Sequence, residues 1–286
     1  MSIDWHDLNA PPSLGGLYAK AARRRKISGD TLPHTGLRCT VAVDAQRLAA
    51  YRKVCEIGDS SLLPPAYPHV LAFGLHMQLL TDDAFPFPLL GLVHLVNRIR
   101  VLRPLGGLAS LQLSVHVDNL QPHEKGATFD LITQASDAVG LLWEETSTVL
   151  CRHAKAPGEP PTPEEREEMP LLEATRWYAG TDIGRRYAKV SGDYNPIHLS
   201  ATTARLFGFP QAIAHGMWSL ARTLTALHGH LPSAGYAFEV EFLKPVRLPN
   251  EVILSASATG PSGQLELAGH GDLVHMVGGW TTLYSS

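Results

Sequence analysis

The sequence predicts an α+β fold laid down twice along one chain. Three observations lead there: an ordered set of short motifs recurs in the second half, each half carries the pattern of a buried helix, and alternating apolar strands follow each helix. Tyr51-Arg52-Lys53-Val54 returns as Tyr187-Ala188-Lys189-Val190, 136 residues on. Pro68, Ala72 and Gly74 return as Pro210, Ala214 and Gly216 after 142 residues, and Arg103-Pro104 as Lys244-Pro245 after 141. Each match alone is weak. Three in register make a duplication the better account.

In the first half, Leu75, Leu79 and Leu80 suit one face of a helix. Prolines flank it, Pro64, Pro65 and Pro68 before and Pro86 and Pro88 after, and they are expected to shorten it. Strands are predicted at Val93–Leu102, Leu111–Val117, Thr128–Thr133 and Leu141–Leu150. The segment 155–170, KAPGEPPTPEEREEMP, holds five prolines and five glutamates and is expected to be a linker. It divides the chain into a first domain, 1–154, and a second, 171–286. In the second, Met217, Leu220, Ala221, Leu224 and Leu227 fall at helical spacing. Tyr236, Phe238, Val240 and Phe242 then alternate with more polar neighbours, and Val252, Leu254, Ala256 and Ala258 do the same. Leu265–Ala268 and Val274–Leu283 supply the remaining extended segments. A buried helix followed by antiparallel strands, twice, is an α+β plan.

Composition removes several functions. The 286 residues hold 24 Lys plus Arg against 27 Asp plus Glu, so nothing drives the chain in bulk toward nucleic acid or anionic lipid. Cys39, Cys55 and Cys151 lie far apart without ligand spacing, which argues against a disulfide framework or a zinc module. Asp4 and Asp7 stand where a signal peptide carries positive charge, and no apolar run is long enough to span a bilayer. A soluble cytoplasmic protein without nucleic-acid or membrane partners is expected. His228-Gly229-His230 lacks further clustered ligands, so no metal is expected there. The pairs Gly15-Gly16 and Gly106-Gly107 lack a phosphate-binding fingerprint, and no GxSxG elbow occurs.

The chemistry concentrates in Tyr187–Ser200, YAKVSGDYNPIHLS. Gly192 permits a tight turn before Asp193, and Pro196 biases Asn195 toward extended backbone. Asp193 and His198 are therefore expected on a stiff, bent loop rather than on a helix. Ser200 is placed to cap a short helix over Ala201–Phe207, with Gly208 past its end. A carboxylate and an imidazole so held can share one water, the minimum equipment for adding or removing water by acid–base catalysis. Downstream, Gly216 opens the apolar helix, and its N–H faces developing negative charge on a thioester oxygen.

Tyr187-x-x-Val190-Ser191-Gly192-Asp193-x-Asn195-Pro196-Ile197-His198, with Ala214-His215-Gly216-Met217 after it, resembles the hydratase motif of the MaoC-like family of (R)-specific enoyl-CoA hydratases and 3-hydroxyacyl-thioester dehydratases. The resemblance covers mainly residues 180–250, and the first half is similar to the degenerate partner domain of double hot dog members. It implies two hot dog repeats, each an antiparallel sheet wrapped around a central helix. It also implies catalytic roles for Asp193 and His198 and an oxyanion contact from Gly216. Asn195 is read as steadying the turn or orienting substrate or water, and His215 as shaping the loop rather than carrying a proton. The reaction implied is reversible hydration of a trans-2-enoyl thioester of medium or long chain. CoA or acyl-carrier protein arrives with the substrate, no further cofactor is needed, and a homodimer is allowed. Phe73, Leu75 and Met217 are the candidate acyl-pocket residues, with Leu90 and Leu92 beside them. A hot dog acyl-thioesterase or a non-catalytic acyl-binding subunit are the alternatives.

The repeat assigns one working site per chain. Between the Lys-Val pair and the shared proline the second half spans 20 residues and the first 14. Asp59 echoes Asp193, but Pro64 stands five residues on where a histidine is required, and Phe73 replaces His215.

Overall fold

A computed structural model describes residues 2–162 and 169–283; the middle of the expected linker, residues 163–168, lies outside the described residues. In chain order the first elements are β1 (Asp4–Leu8), α1 (Leu14–Arg23), β2 (Thr35–Ala42), α2 (Ala45–Cys55), α3 (Tyr67–Leu80), β3 (Leu92–Val101), β4 (Ser110–His123), β5 (Gly126–Ser136) and β6 (Leu141–Arg152). There follow β7 (Leu172–Ala179), α4 (Ile183–Ser191), α5 (Pro196–Leu199), α6 (Ala201–Arg205), α7 (Gly216–Ala226), β8 (Tyr236–Phe242), β9 (Asn250–Ala256), β10 (Ser262–Ala268) and β11 (Val274–Thr282).

The described residues form two compact units: 2–43, 71–97 and 108–162 in the first, and 44–70, 98–107 and 169–283 in the second. In the first, strands run in the order β1-β2-β4-β5-β6, with β1 parallel to β2 and the later neighbours antiparallel. Leu111, Leu113, Val115 and Val117 of β4 alternate into the core, the period that a half-buried strand imposes. Phe85, Phe87 and Phe129 pack with ring centroids 5.2–5.9 Å apart. A buried Asn97 amide donates its N–H groups to Glu145 Oε1 (2.9 Å) and Ser147 Oγ (3.1 Å), which gives those two acceptors a partner away from water, while the Asn97 Oδ1 has none among the described residues.

The second unit orders its strands β8-β11-β10-β9-β7, all antiparallel. Phe238 and Val240 of β8, Val252 and Leu254 of β9, and Leu265 and Leu267 of β10 point into the core. Helix α7 is buried on every side from Met217 to Leu224. A helix so enclosed needs partners for its polar side chains. Trp218 donates its indole N–H to the Val54 carbonyl (3.1 Å), and the Arg222 guanidinium donates to the Cys55 carbonyl (3.2 Å) and pairs with Glu56. Those acceptors sit at the end of α2.

This packing departs from a simple division at 155–170. Residues 44–70 carry α2, which lies against α4: the Tyr51 and Tyr187 rings are 6.1 Å apart, and Tyr51 and Tyr67 5.0 Å. Burial of these aromatic faces, with the bonds from Trp218 and Arg222, holds the segment to the later part of the chain.

The expected shortening of the first-half helix is overturned. Helix α3 runs 14 residues, longer than the 11 of α7. Pro68 stands in its first turn, where a missing N–H costs no intrahelical bond, and Pro86 and Pro88 lie beyond its end. Gly74 consequently falls inside α3, whereas Gly216 begins α7. Among the described residues no helix is long and apolar enough to cross a membrane. The three cysteines are free and buried.

Candidate active site

Helix α4 ends because Gly192 takes a left-handed conformation (φ 88°), its N–H returning to the Ala188 carbonyl at 2.9 Å. Ser191 locks the turn, donating its hydroxyl to the Tyr187 carbonyl (2.9 Å) and accepting the Asp193 N–H (3.1 Å). Asp193 Oδ1 accepts from the Asn195 N–H (3.1 Å), which fixes the carboxylate's direction. Asn195 caps α5, its side-chain oxygen accepting from the Ile197 N–H (3.4 Å), and Pro196 opens the turn. His198 therefore sits in a one-turn helix, a departure from the loop expected for it. Ser200 caps α6 as expected, accepting from the Thr203 N–H at 3.1 Å.

His198 is buried, and its Nδ1 lies 2.8 Å from the Ile213 carbonyl. A carbonyl only accepts, so Nδ1 carries the proton and Nε2 keeps a lone pair. Burial pushes the imidazole pKa below its ordinary value against the upward pull of the Asp193 carboxylate, so the ring stays neutral near pH 7. The Ile213 carbonyl is itself held: its residue bridges Arg247, and the neighbouring Ala214 N–H donates to the Val246 carbonyl at 2.9 Å.

His215 lies beneath these groups. Its ring stacks on His198 with centroids 3.7 Å apart, and its Nε2 donates to the Asp193 carbonyl (2.9 Å) with the Asp193 carboxylate at 3.7 Å. Burial, and then the neighbouring imidazole, push its pKa down to about 3. Its Nδ1 is buried without a partner among the described residues. A ring so enclosed holds the Asp193 turn in place, its Nε2–H committed to that carbonyl.

Gly216 is the first residue of α7, so its N–H has no intrahelical acceptor and the helix dipole adds positive character there. A side chain at this position would press on the Phe242 ring at 3.1 Å. Asp193, His198 and His215 offer atoms that all lie within 4.8 Å of one another. One nitrogen on each imidazole is committed to a carbonyl and His215 Nδ1 is buried, which leaves the Asp193 carboxylate and His198 Nε2 as the candidate pair for acid–base chemistry. With its side chain 30% exposed, Asp193 is reachable by water.

Asp193, Asn195, His198, His215 and Gly216 thus converge on one place. Of the acyl-pocket candidates, Leu75 and Met217 are buried and Phe73 is half-buried in α3. A cavity of about 550 Å³ in the second unit is lined by other residues. Two supporting residues escaped sequence reasoning. Gly184 in α4 lets the His198 carbonyl approach closer than any side chain permits. Arg47 of α2 donates to the Val190 (2.9 Å) and Ser191 (3.1 Å) carbonyls at the end of α4, and to the Val70 carbonyl (3.4 Å).

Residues 154–268 match the family model of the MaoC like domain. The 3-hydroxyacyl-thioester dehydratase X of Mycobacterium tuberculosis is 36% identical over 72% of this chain and 74% of its own length. The crystal structure of that protein superposes with a TM-score of 0.76 at 30% identity, covering 87% of this chain and all of the other. The peroxisomal enoyl-CoA hydratase 2 of Arabidopsis thaliana is 26% identical over 57% of each chain. A Mycobacterium tuberculosis protein with a double hot dog fold, 12% identical, matches in fold with a TM-score of 0.53 over 91% of this chain and 96% of the other.

Proposed function

The chain belongs to the MaoC-like family, as a hydro-lyase with the α+β double hot dog fold, and from that premise we propose that Asp193 and His198 add water reversibly across trans-2-enoyl thioesters. The product is the (R)-3-hydroxyacyl thioester. One observation carries the reading: His198 is fixed by Ile213 with its basic Nε2 free, in one cluster with a water-accessible carboxylate. Water shared by the two gives its oxygen to C3 and one proton to the pair, which returns a proton to C2. As oxygen bonds to C3 the thioester takes on enolate character, which ends when C2 is protonated, and the Gly216 N–H at the head of α7 offsets the charge on its oxygen. Dehydration runs the same path backwards.

The substrate in this reading is an acyl-CoA or acyl-carrier-protein thioester of fatty acid metabolism, with no cofactor beyond that carrier. Three buried thiols suit a reducing compartment, and we take the cytoplasm as the location and a homodimer as the assembly. The preference for longer chains has lost its physical argument, since α3 is not shortened. The deciding experiment is hydration of crotonyl-CoA followed by loss of enoyl absorbance, with product handedness read by an (R)-specific dehydrogenase. Release of free CoA without hydration would favour the thioesterase instead. Repeating it across a chain-length series reads how each added methylene, worth up to about 0.8 kcal/mol when buried, is accommodated.

A further inference from the structure

The cavity of about 550 Å³ contains none of Asp193, His198, His215 or Gly216 in its lining. It lies between residues 57–66, one face of α7 at Ala221, Leu224 and Thr225, and the floor residues Val101, Leu105 and Tyr236. The repeat explains why space exists here. Between α4 and α7 the chain places the catalytic turn, α5 and α6, whereas the corresponding stretch after α2, residues 56–66, has no helix at all. The volume left by the shortened loop has not collapsed. Buried Arg52 braces the wall by donating to the carbonyls of Gly58 (2.7 Å), Ser60 (3.0 Å) and Leu62 (2.6 Å), and Leu62 bridges Gly106.

The lining reads as a ligand site of ordinary size, apolar within and polar at its mouth. Leu63, Leu105, Leu224 and Val101 are buried, while Asp59, Ser60, His228 and Ser233 are exposed. Tyr236 adds a phenol that burial keeps protonated. Arg52 and Asp59 bring opposite charges, so the lining favours neither an anion nor a cation. We propose that this cavity is a second, non-catalytic site that takes a medium-length aliphatic chain ending in an uncharged hydrogen-bonding group, such as an alcohol or a thioester arm. The site stands whether or not the hydratase reading does.

Calorimetric titration of the full chain with 1-octanol tests it, with octanoate as the charged counterpart. One 1-octanol should bind per chain, up to about fourfold tighter for each methylene added from 1-hexanol. Octanoate should bind more weakly. Ile57→Trp and Thr225→Phe, which fill the cavity, should abolish binding while keeping cooperative melting; should one fail to fold, the other decides, and Pro232→Trp at the rim replaces both if needed. Asp193→Asn should bind 1-octanol as the wild type does, also with crotonyl-CoA present. No binding, binding unchanged in the filled variants, displacement by crotonyl-CoA, or octanoate binding more tightly than 1-octanol would each overturn the proposal.

Discussion

The imidazoles of His198 and His215 lie face to face, with centroids 3.7 Å apart and planes 25° from parallel. Each gives one N–H to a backbone carbonyl, His198 to Ile213 and His215 to Asp193. Two stacked imidazoles this close tolerate at most one positive charge, and burial leaves both neutral. The consequences are measurable in acid.

Both folded pKa values lie below 6.5, and that of His215 is about 3. Below pH 6.5 the unfolded chain therefore binds protons that the folded chain refuses. Stability contributed by this pair is present above that pH and falls as pH drops, by up to about 1.4 kcal/mol per pH unit for each histidine until that histidine reaches its own folded pKa, about 3 for His215. Melting temperatures between pH 7 and pH 4 should decline less steeply in His215→Gln than in the wild type. Equal slopes would show that His215 is not the buried neutral group described.

Asp193→Asn and His198→Ala should each lower kcat by about 10²-fold or more on any enoyl thioester the enzyme hydrates. The acid limb of kcat/KM should lie below pH 6.5, because His198 remains a base until its lowered pKa is reached. Near-wild-type turnover in either folded variant would remove that residue from the chemistry.

Gly184→Ala introduces a Cβ that overlaps the His198 carbonyl oxygen. The clash is with backbone, so α5 must shift and carry the imidazole with it. Loss of about 1–3 kcal/mol of stability is expected, together with a fall in kcat larger than the rise in KM. Urea melts and steady-state kinetics on the same preparation separate the two effects.

Arg47→Met frees the carbonyls of Val190 and Ser191 immediately before the Asp193 turn. A drop of about tenfold in kcat with little change in KM is expected if the guanidinium positions Asp193, since a misplaced catalytic group costs rate rather than binding. Arg47→Lys should recover only part of it, and a change confined to stability would make the contact merely structural.

Asp59→Asn tests the asymmetry of the repeat. Asp59 is exposed, with Pro64 five residues on, and kcat should stay within about threefold of wild type. A loss matching that of Asp193→Asn would mean that both halves share the chemistry.

What the sequence made legible was local. Gly192, Asn195, Pro196 and Ser200 each act on neighbours within a few residues, so their caps and turns could be read directly. Strands β3 to β6 and β8 to β11 were legible as extended segments, β8 and β9 by their alternation, and α7 by helical spacing. Partners distant in sequence were not. Nothing around Arg47 signals that its guanidinium reaches carbonyls more than 140 positions away, and Gly184 looks like any glycine until α5 lies against it. Pro68 misled because a proline in a first turn and a proline in a helix interior look the same before the helix start is known.

The placement of residues 44–70 beside the catalytic segments has an evolutionary edge. Once α2 supplied Arg47 to the end of α4, and its last turn accepted bonds from Trp218 and Arg222, the two copies of the repeat ceased to be separable inheritances. A gene trimmed to its later half would encode Asp193 and His198 without the scaffold that holds them, so deletion could no longer undo the duplication. The copy without the histidine lends Arg47 and the last turn of α2 to the copy that has one.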